Sequence, residues 1–548
     1  MSQWLLYAVA LAAYGCSDET PLSVGTTSVP VARVSVLTRH DDNARSGANL
    51  RESQLTPAVV RSGAFGPLFT LFVDGFVYAQ PLVATNVDVG DGGVHDVVYV
   101  ATEHDSLYAF DANRGGAPLW QRSFGRSSNL VCFPQKLLTP EIGITGTPVI
   151  DPVARTIYLV AYTQDDPASC ATGNFHQTLW AVDMASGDPV APPVEVTASA
   201  PIVFDPVQQL QRTALLLSDG VLYFAFASHG GLEPYHGWMF AYDPKTLAQL
   251  ASFITTPAGR QGGIWMGGEG PSSTGDGDFF FTSGNGTWNG RDNWADSLLR
   301  MRLVDGRLTF VDFFTPYNQA DLDELDLDLG STGVLLVPGT HTLAGVDRRL
   351  AVIAGKQGNL YLLDRDALGG FHPEGDHVLQ TVPITAWNID GSAVYFDDGM
   401  QPRVYIWGAS ANLDAFALSD SPSGRYLTLD SASRAPFVPG LPGGMLAVSA
   451  NGTSGGIVWA NHPWSPAAGG EANAITQVVP GVLRAFDATD VRVELWNNRA
   501  DRTAPADSVG DFAKFCPPTI ANGKVYYAAW SQKPGEPPGR VIVFGIKP

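Results

Sequence analysis

Short apolar runs recur along the whole chain, and they come in pairs separated by a turn. The fullest pair runs from Val97 to Thr102 and from Ser106 to Ala112. Runs of this length that are rich in Val, Tyr, Phe and Leu are typical of β-strands, and two of them around a turn indicate a hairpin. No segment carries a helical signal of comparable strength, so the pattern predicts an all-β protein.

The hairpin is one copy of an internal repeat. Its second strand contains Ala-Phe-Asp at Ala109–Asp111 with Trp120 nine residues after the Asp, and the element returns at Ala485–Asp487 with Trp496. Weaker copies of the hairpin begin at Ile157, Val221, Phe279, Ala351, Val404 and Lys524. A spacing of roughly 55–70 residues indicates a repeat architecture in which each unit packs on its neighbours.

These eight units, each extended by flanking strands, predict a β-propeller. The prediction is one eight-bladed propeller of four-stranded antiparallel blades over residues 40–548, with seven blades as the alternative. Each blade buries its faces only against its neighbours, so the ring must close. The segment Leu68–Val73, which precedes the first unit, is the predicted partner that completes the last blade.

Composition supports this architecture and limits the functions. The 548 residues include 59 Gly and 39 Pro, and only 16% are charged, a balance that favours short strands and turns over helices. The formal net charge of −21 gives a surface that repels phosphate, which argues against nucleic acid as a partner.

The N-terminus has the pattern of an export signal. Residues Trp4 to Ala13 form an apolar stretch too short to span a bilayer, and small residues lead from it to Cys16. We interpret residues 1–16 as a signal, processed either as a bacterial lipoprotein with a lipid anchor on Cys16 or as a plain cleaved signal. Residues 17–39, rich in Ser, Thr, Val and Pro, follow as a predicted flexible tether. The predicted location is the periplasm, the outer membrane or the medium.

Three cysteines remain in the mature chain. In an oxidising compartment, Cys132 and Cys170 are candidates for a disulfide because they lie in neighbouring loop-like segments. Cys516 precedes two prolines and a strand, and we expect it to pack as a small apolar group. The chain lacks a Cys-x-x-Cys-His motif, so covalently bound haem is not expected.

The Ala-Phe-Asp element with its following Trp, repeated at blade spacing, resembles the quinoprotein dehydrogenases. That resemblance implies an eight-bladed propeller that holds pyrroloquinoline quinone (PQQ) and a calcium or lanthanide ion on its axis. It covers almost the whole mature chain. The same blade signature also occurs in a non-catalytic assembly scaffold of the outer-membrane protein insertion machinery, so the repeats alone leave the function open.

Two segments resemble the part of the family site that holds the quinone. Lys356, in Gly-Lys-Gln-Gly-Asn, matches the cation that contacts the quinone oxygens, where it would stabilise the charge that grows during reduction. Trp265, after Gly-Gly-Ile, matches the aromatic floor on which a flat quinone stacks. Each residue also has a structural interpretation, as a solvent-exposed hairpin lysine and as a core tryptophan.

The resemblance implies oxygen ligands for the metal at Glu233, Asn285, Asp326 and Asp328. A hard cation is held by carboxylate and amide oxygens, and Asp328 matches the second Asp of members that use a lanthanide. Asp326 also matches the catalytic base, which takes the proton of the alcohol as hydride leaves the carbon. The structural alternative is that these residues lie in solvated acidic and glycine-rich loops.

The chain departs from the family pattern around Glu141–Pro148. Thr145 stands where the family has an Arg, and no adjacent pair of cysteines is present, so the second face of the quinone site is unassigned. A different interpretation is a transition metal bound near the axis by His104, His229 and His236.

These features lead to competing functional hypotheses. The first is an extracytoplasmic PQQ- and metal-dependent dehydrogenase that oxidises a small alcohol or sugar and passes its electrons to a separate acceptor. The second is a propeller without a redox cofactor that serves as a binding or assembly scaffold, and the third is a metal-dependent hydrolase or lyase on the same scaffold. The first hypothesis requires Glu233, Trp265, Asn285, Asp326 and Lys356 to meet in one axial pocket.

Overall fold

Eight antiparallel β-sheets follow one another along the chain in the computed structural model, and together they form an eight-bladed propeller. The predicted fold class is confirmed. The structure describes Met1 and residues 33–90, 93–129, 132–133, 140–166, 169–170, 174–199, 201–433, 440–464, 472–499 and 509–548. Residues Arg33–Pro548 form one compact unit.

The strands run outward from the propeller axis in chain order within most blades. Strands β1 (Ala48–Asn49) and β2 (Phe65–Val73), with helix α1 (Pro57–Arg61) between them, join the last two blades. Blade one comprises β3 (Leu82–Asp88), β4 (Val94–Ala101), β5 (Ser106–Asp111) and β6 (Trp120–Ser123), and the small pair β7 (Ser128–Asn129) and β8 (Glu141–Ile142) follows it. Blade two comprises β9 (Val149–Asp151), β10 (Thr156–Gln164), β11 (Phe175–Asp183) and β12 (Val194–Glu195). Blade three comprises β13 (Gln209–Gln211), β14 (Leu216–Ser218), β15 (Val221–Ser228), β16 (Trp238–Tyr242) and β17 (Gln249–Ile254).

The second half of the ring repeats this arrangement. A 3-10 turn (Met266–Gly268) precedes blade four, which comprises β18 (Ser272–Ser273), β19 (Asp278–Thr282), β20 (Leu298–Val304) and β21 (Arg307–Phe314). Helix α2 (Gln319–Leu325) and a 3-10 turn (Leu329–Ser331) lead to blade five, with β22 (Leu335–Leu336), the side pair β23 (His341–Leu343) and β24 (Val346–Arg348), then β25 (Leu350–Ala354), β26 (Asn359–Asp364) and β27 (Gln380–Pro383). Blade six comprises β28 (Val394–Asp397), β29 (Pro402–Ile406), β30 (Asp414–Leu418) and β31 (Leu427–Ala432). Blade seven comprises β32 (Met445–Asn451), β33 (Ser454–Pro463), β34 (Gly481–Asp487) and β35 (Asp490–Asn497), and blade eight β36 (Asp511–Phe512), β37 (Thr519–Ala521), β38 (Lys524–Trp530) and β39 (Gly539–Ile546).

The strand that precedes blade one closes the ring. Strand β2 pairs antiparallel with β39, from Phe65 opposite Ile546 to Val73 opposite Gly539. An outer strand from the N-terminal side therefore completes the last blade, and the predicted role of Leu68–Val73 is confirmed. This pairing removes the free edge that β39 would otherwise present.

The hydrophobic core is divided among the spaces between neighbouring blades. The Trp of the sequence repeat packs in these spaces between neighbouring blades. A Cβ atom at Gly187, in a turn of blade two, would lie 2.7 Å from the Trp120 ring of blade one, so only glycine allows this contact. Trp496 of blade seven packs against Phe65 of blade eight, with ring centroids 4.9 Å apart. The repeated Trp thus docks one blade on the next.

Residues 36–49, which we call the belt, pass the inner strands of all eight blades in turn. Hydrogen bonds join Val36 to Val83, Leu37 to Ile150, Asn43 to Leu217 and Ser273, Ala44 to Leu336, Ser46 to Tyr395, Gly47 to Val448 and Asn49 to Ile520. The belt therefore passes around one end of the central channel and ties the blades together by main-chain hydrogen bonds and by the side-chain amides of Asn43 and Asn49. No hydrophobic pattern in the sequence predicts it.

The cysteine predictions are confirmed. Cys132 and Cys170 form a disulfide with their Cα atoms 5.0 Å apart, and Cys516 is a buried free thiol in the core between blades eight and one. The predicted export signal, Cys16 and most of the tether lie outside the described residues. Within the described part of the chain, no helix has the length and apolar character needed to cross a membrane.

Candidate functional site

A cavity of about 530 Å³ opens at the end of the propeller opposite the belt. In blade three, Leu210 lines the cavity, whereas Leu217 accepts a hydrogen bond from the belt. In blade six, Asp390 lines the cavity and Tyr395 binds the belt. The inner edge of each of these blades therefore runs from the cavity end to the belt end.

Two kinds of loop converge on the cavity. The connections from the outer strand of one blade to the inner strand of the next supply Trp265, Asp326 and Asp328, and the loops between second and third strands supply Asn285 and Lys356. Of the five residues that the first hypothesis requires in one axial pocket, the structure leaves Glu233 outside and brings Trp265, Asn285, Asp326 and Lys356 together with Asp328. The ring closure does this, because these loops all emerge at the same end of the blades.

Lys356 is at the centre of this group. Its Nζ lies 2.5 Å from Asp328 Oδ2 and 3.2 Å from Asp326 Oδ1, and 5.6 Å from the centroid of the Trp265 ring. Only 14% of the lysine side chain is exposed. Burial opposes the charge, but Asp328 and Asp326 outweigh it and raise the pKa of Lys356 above its ordinary value. Lys356 is thus an ammonium ion held over an aromatic face.

Asp328 is fixed by main chain on both sides. The Asn285 backbone N donates to Asp328 Oδ1 over 2.7 Å, and the Lys356 backbone N donates to the Asp328 carbonyl over 3.0 Å. A Cβ atom at Gly284 would lie 2.3 Å from Asp328 Oδ1. Glycine at this position therefore allows the carboxylate to approach the Asn285 loop so closely.

Asp326 lies at the mouth of the cavity. It ends helix α2 in the left-handed conformation, with φ 56°, and its side chain is 80% exposed. Asp326 Oδ1 accepts a hydrogen bond of 2.6 Å from Asn285 Nδ2. The amide oxygen of Asn285 is buried and has no hydrogen-bond partner among the described residues, so this loop presents an unused acceptor inside the cavity.

Glu233 is not brought into the group. It does not line the cavity, its side chain is 45% exposed, and it accepts a hydrogen bond from Gln261. Arg260 Nη1 lies 4.0 Å from its carboxylate. The glycine-rich segment before Glu233 does line the cavity through Gly230 and Gly231, but Glu233 itself does not.

Sequence reasoning missed two basic residues that line the cavity, Arg212 and Lys514, and burial lowers the pKa of Lys514 well below its ordinary value. The guanidinium of Arg212 lies over the Phe515 ring at 4.6 Å, and Lys514 Nζ donates to the Ile475 carbonyl over 2.8 Å. Burial lowers the pKa of Arg212 to about 10, so it stays charged at neutral pH. Neither residue lies in a repeated motif, and only the closed ring brings residues of blades three and eight to one axial cavity.

Asp390 was also missed. It lies in the connection between blades five and six, is 2% exposed, and has a carboxylate oxygen without a hydrogen-bond partner among the described residues. Burial raises its pKa to about 7, although Lys356 and Arg212 oppose the rise. A buried, incompletely paired carboxyl in a cavity is typical of a functional site. A signal in the sequence was the polar stretch Asn-Ile-Asp-Gly between two blades.

Thr145 does not replace the missing Arg of the family pattern. It lies outside the cavity lining, and its Oγ1 donates to Glu103 Oε2 over 3.0 Å. Glu103 is fully buried, and burial raises its pKa to about 7. From this region only Ile142 reaches the cavity, so the wall that was unassigned in the sequence is apolar here.

The three histidines proposed for a transition metal lie in separate environments. His104 contacts Glu141 at 2.9 Å, His236 contacts Thr256 at 3.1 Å, and His229 stacks on Phe133 with centroids 4.1 Å apart. Among the described residues, no group of three or more His, Cys, Asp or Glu side chains is placed to hold a metal ion. That interpretation is therefore wrong for the described part of the chain.

The carboxylates predicted for calcium or a lanthanide do not fit a metal ion as they stand. The ammonium of Lys356 lies between Asp326 and Asp328, Glu233 does not line the cavity, and Asn285 turns its amide nitrogen toward Asp326. Calcium takes six to eight oxygen ligands. The Lys356 ammonium therefore lies between the two aspartates that the resemblance implies as metal ligands.

The fold is that of the propeller in quinoprotein alcohol dehydrogenases. The chain is similar to the quinohemoprotein alcohol dehydrogenase from Comamonas testosteroni, with a TM-score of 0.54, 15% identity, and coverage of 94% of this chain and 81% of that chain. It is also similar to a quinohemoprotein alcohol dehydrogenase from Pseudomonas putida HK5, with a TM-score of 0.57, 14% identity, and coverage of 93% and 80%.

A europium-containing methanol dehydrogenase has the same fold over nearly its whole length. The TM-score is 0.59 at 12% identity, and the similarity covers 93% of this chain and 98% of that chain. No protein-family model and no curated protein sequence matches the chain. At these identities the likeness establishes the architecture, and the chemistry must be argued from the cavity itself.

Proposed function

We propose that the protein is a PQQ-dependent dehydrogenase that oxidises the hydroxyl group of a small alcohol or sugar outside the cytoplasm. One observation carries the proposal: a lysine ammonium lies over a half-buried tryptophan and beside two aspartates in a single axial cavity. The proposed location rests on the N-terminal signal pattern, with a lipid anchor on Cys16 as one form of it.

The cavity suits a flat, anionic quinone. When bound, PQQ supplies an ortho-quinone that accepts a hydride from the substrate carbon. Trp265 offers an aromatic face for stacking, and Ile142 offers an apolar surface from another wall. PQQ also carries carboxylate groups, and Arg212, which stays charged at neutral pH, lines the cavity, where charge-assisted hydrogen bonds are strong.

Two residues would act on the reacting atoms. Asp326 would take the proton of the substrate hydroxyl, since its carboxylate is 80% exposed at the mouth of the cavity and is therefore open to an entering alcohol. Lys356 would stabilise negative charge on the oxygen that it faces, because a buried ammonium acts there in a low dielectric. The electrons would then leave to a separate acceptor.

The test is reconstitution of the purified protein with PQQ, both in EDTA and with added calcium or lanthanum. We expect quenching of tryptophan fluorescence on PQQ addition and dye-linked oxidation of alcohols or sugars. Asp326→Asn should lower kcat by about 10²- to 10⁴-fold, the usual contribution of a general base. Asp321→Asn is the matched control, because Asp321 is exposed on helix α2 and outside the cavity lining, and it should keep full activity.

A second function is favoured by the departures from the family pattern. Thr145 binds Glu103 outside the cavity, and Glu233 does not line it either, so the requirement that all five predicted residues meet in one pocket is met by four of them. A non-catalytic propeller that binds another ligand or protein would keep the same fold. If PQQ causes no quenching and no dye reduction with any alcohol or sugar, this second function replaces the first.

A further inference from the structure

We propose that the ammonium of Lys356 takes the place of the metal ion in this protein, so that the cavity binds its quinone without calcium or a lanthanide. The inference rests on the proposed function and concerns the same cavity. It follows from the positions of the two carboxylates and of the ammonium between them.

Both aspartates that the sequence predicts as metal ligands already have a cation. Lys356 Nζ lies 2.5 Å from Asp328 Oδ2 and 3.2 Å from Asp326 Oδ1. A metal ion bound to the same oxygens would lie within a few ångströms of the ammonium. Two like charges at that distance in a partly buried site repel strongly, so metal and ammonium compete for one position.

The remaining predicted ligands do not compensate for this competition. The Glu233 carboxylate accepts a hydrogen bond from Gln261, and Asn285 presents its amide nitrogen to Asp326. Asn285 Oδ1 is buried and has no hydrogen-bond partner among the described residues. A neutral amide oxygen cannot by itself supply the six to eight oxygen ligands of calcium.

Lys356 is held firmly enough to act as a fixed charge. Its backbone N donates to the Asp328 carbonyl over 3.0 Å, and its ammonium lies 5.6 Å from the centroid of the Trp265 ring. A quinone stacked on that ring would meet the ammonium beside its carbonyl oxygens. The charge that a metal ion supplies in the family would then come from the side chain.

The first test uses terbium luminescence, with tryptophan as the sensitiser and no quinone present. The net charge of −21 gives weak terbium sites elsewhere, so we measure only the luminescence that the Asp328→Asn substitution removes. In the wild type we expect this substitution to remove none. In Lys356→Met we expect terbium to bind at least tenfold more tightly than the wild type binds it, and we expect Lys356→Met/Asp328→Asn to lose this gain.

An equal Asp328-dependent site in the wild type would overturn the inference, and so would its absence from a folded Lys356→Met protein. Circular dichroism and the melting temperature report whether each variant is folded. If Lys356→Met does not fold, the comparison of wild type with Asp328→Asn decides alone: a difference in terbium binding overturns the inference, and no difference supports it.

The second test measures PQQ binding to the wild type by tryptophan quenching in EDTA, in calcium and in lanthanum. We expect the affinities to agree within twofold. A tenfold loss in EDTA would overturn the inference while leaving the dehydrogenase proposal intact. Absence of PQQ binding in all three conditions would overturn the dehydrogenase proposal and the quinone part of this inference, whereas the terbium result would still decide whether Lys356 occupies the cation position.

Discussion

The two ends of the central channel both bury carboxylates, but they pair them differently. At the belt end, Glu269 is fully buried, with Arg39 Nε at 3.5 Å, Arg45 Nε at 3.8 Å and His40 Nδ1 at 2.5 Å. Burial alone would raise the pKa of Glu269, but these three partners lower it to about 2. At the cavity end, Asp390 is equally buried, and burial raises its pKa to about 7.

The pKa values of Glu269 and Asp390 differ because the two carboxyl groups have different charged partners, since both lose their solvation to a similar extent. Both ends hold buried polar atoms without a hydrogen-bond partner among the described residues, such as Arg39 Nε and Glu269 Oε2 at the belt end and Asp390 Oδ2 at the cavity end. The ion pairs differ: Glu269 has three basic partners, and Asp390 has no ion pair among the described residues. We therefore interpret the belt end as structural and the cavity end as functional.

The largest expected effect comes from removing the ion pairs of Glu269 at the belt end. Glu269→Ala leaves Arg39 and Arg45 buried without their carboxylate, and we expect the free energy of unfolding to fall by about 3–5 kcal/mol. Urea unfolding measures it. Asp188→Ala, which removes the 3.1 Å contact with Arg122 at a 75% exposed side chain, should cost less than about 1 kcal/mol. Equal losses in the two variants would show that the belt end does not depend on this pairing.

A smaller and opposite effect is expected at the cavity end. The folded pKa of Asp390 is about 7 against an ordinary value of 3.8, so the folded state holds a proton that the unfolded state releases. The free energy of unfolding should therefore decrease between pH 4 and pH 7 through this group. Asp390→Asn removes that titration, so it should match the wild type near pH 4 and exceed it by about 2–4 kcal/mol above pH 7.

Urea unfolding at several pH values measures this difference. Identical pH dependence in the wild type and Asp390→Asn would mean that the carboxyl is ionised and paired in the folded protein. The two ends of the channel would then be alike, and the contrast with Glu269 would disappear.

The smallest effect compares two buried histidines whose pKa values burial lowers to about 3. His462 accepts a hydrogen bond of 2.9 Å from Arg484 Nε, whereas His229 makes no hydrogen bond of ordinary geometry among the described residues and interacts only weakly with the Gln209 backbone. His462→Leu should therefore cost about 1–3 kcal/mol, and His229→Leu less than about 1 kcal/mol. Melting temperatures measure both, and a larger loss at His229 would place it among the structural residues.

The blades were predictable from the sequence because their signals are local. Alternating apolar runs and turns define each hairpin within about 30 residues, and the Ala-Phe-Asp element with Trp120 or Trp496 marks the same place in two blades. The belt was not predictable in this way. Its residues form short strands and isolated bridges that depend on inner strands from all eight blades, so their own pattern carries no period.

The candidate site was predicted in part. Trp265, Asn285, Asp326, Asp328 and Lys356 line one cavity, because each belongs to a loop type whose position in the blade is fixed by the repeat. Glu233 lies in a matching segment, but its side chain contacts Gln261 and Arg260 and does not line the cavity. A motif fixes where a loop lies and does not fix the rotamer of a residue within it.

By itself, the sequence determined the strands, the number of blades and the loops that carry the chemistry, because those properties depend on neighbours along the chain. Only the tertiary structure decided which charges meet. Arg212, Asp390 and Lys514 are separated by more than a hundred residues from one another, yet they line one cavity with Lys356. Whether a buried carboxyl is paired or unpaired depends on such contacts across the ring, since electrostatic energy follows distance in space and not distance along the chain.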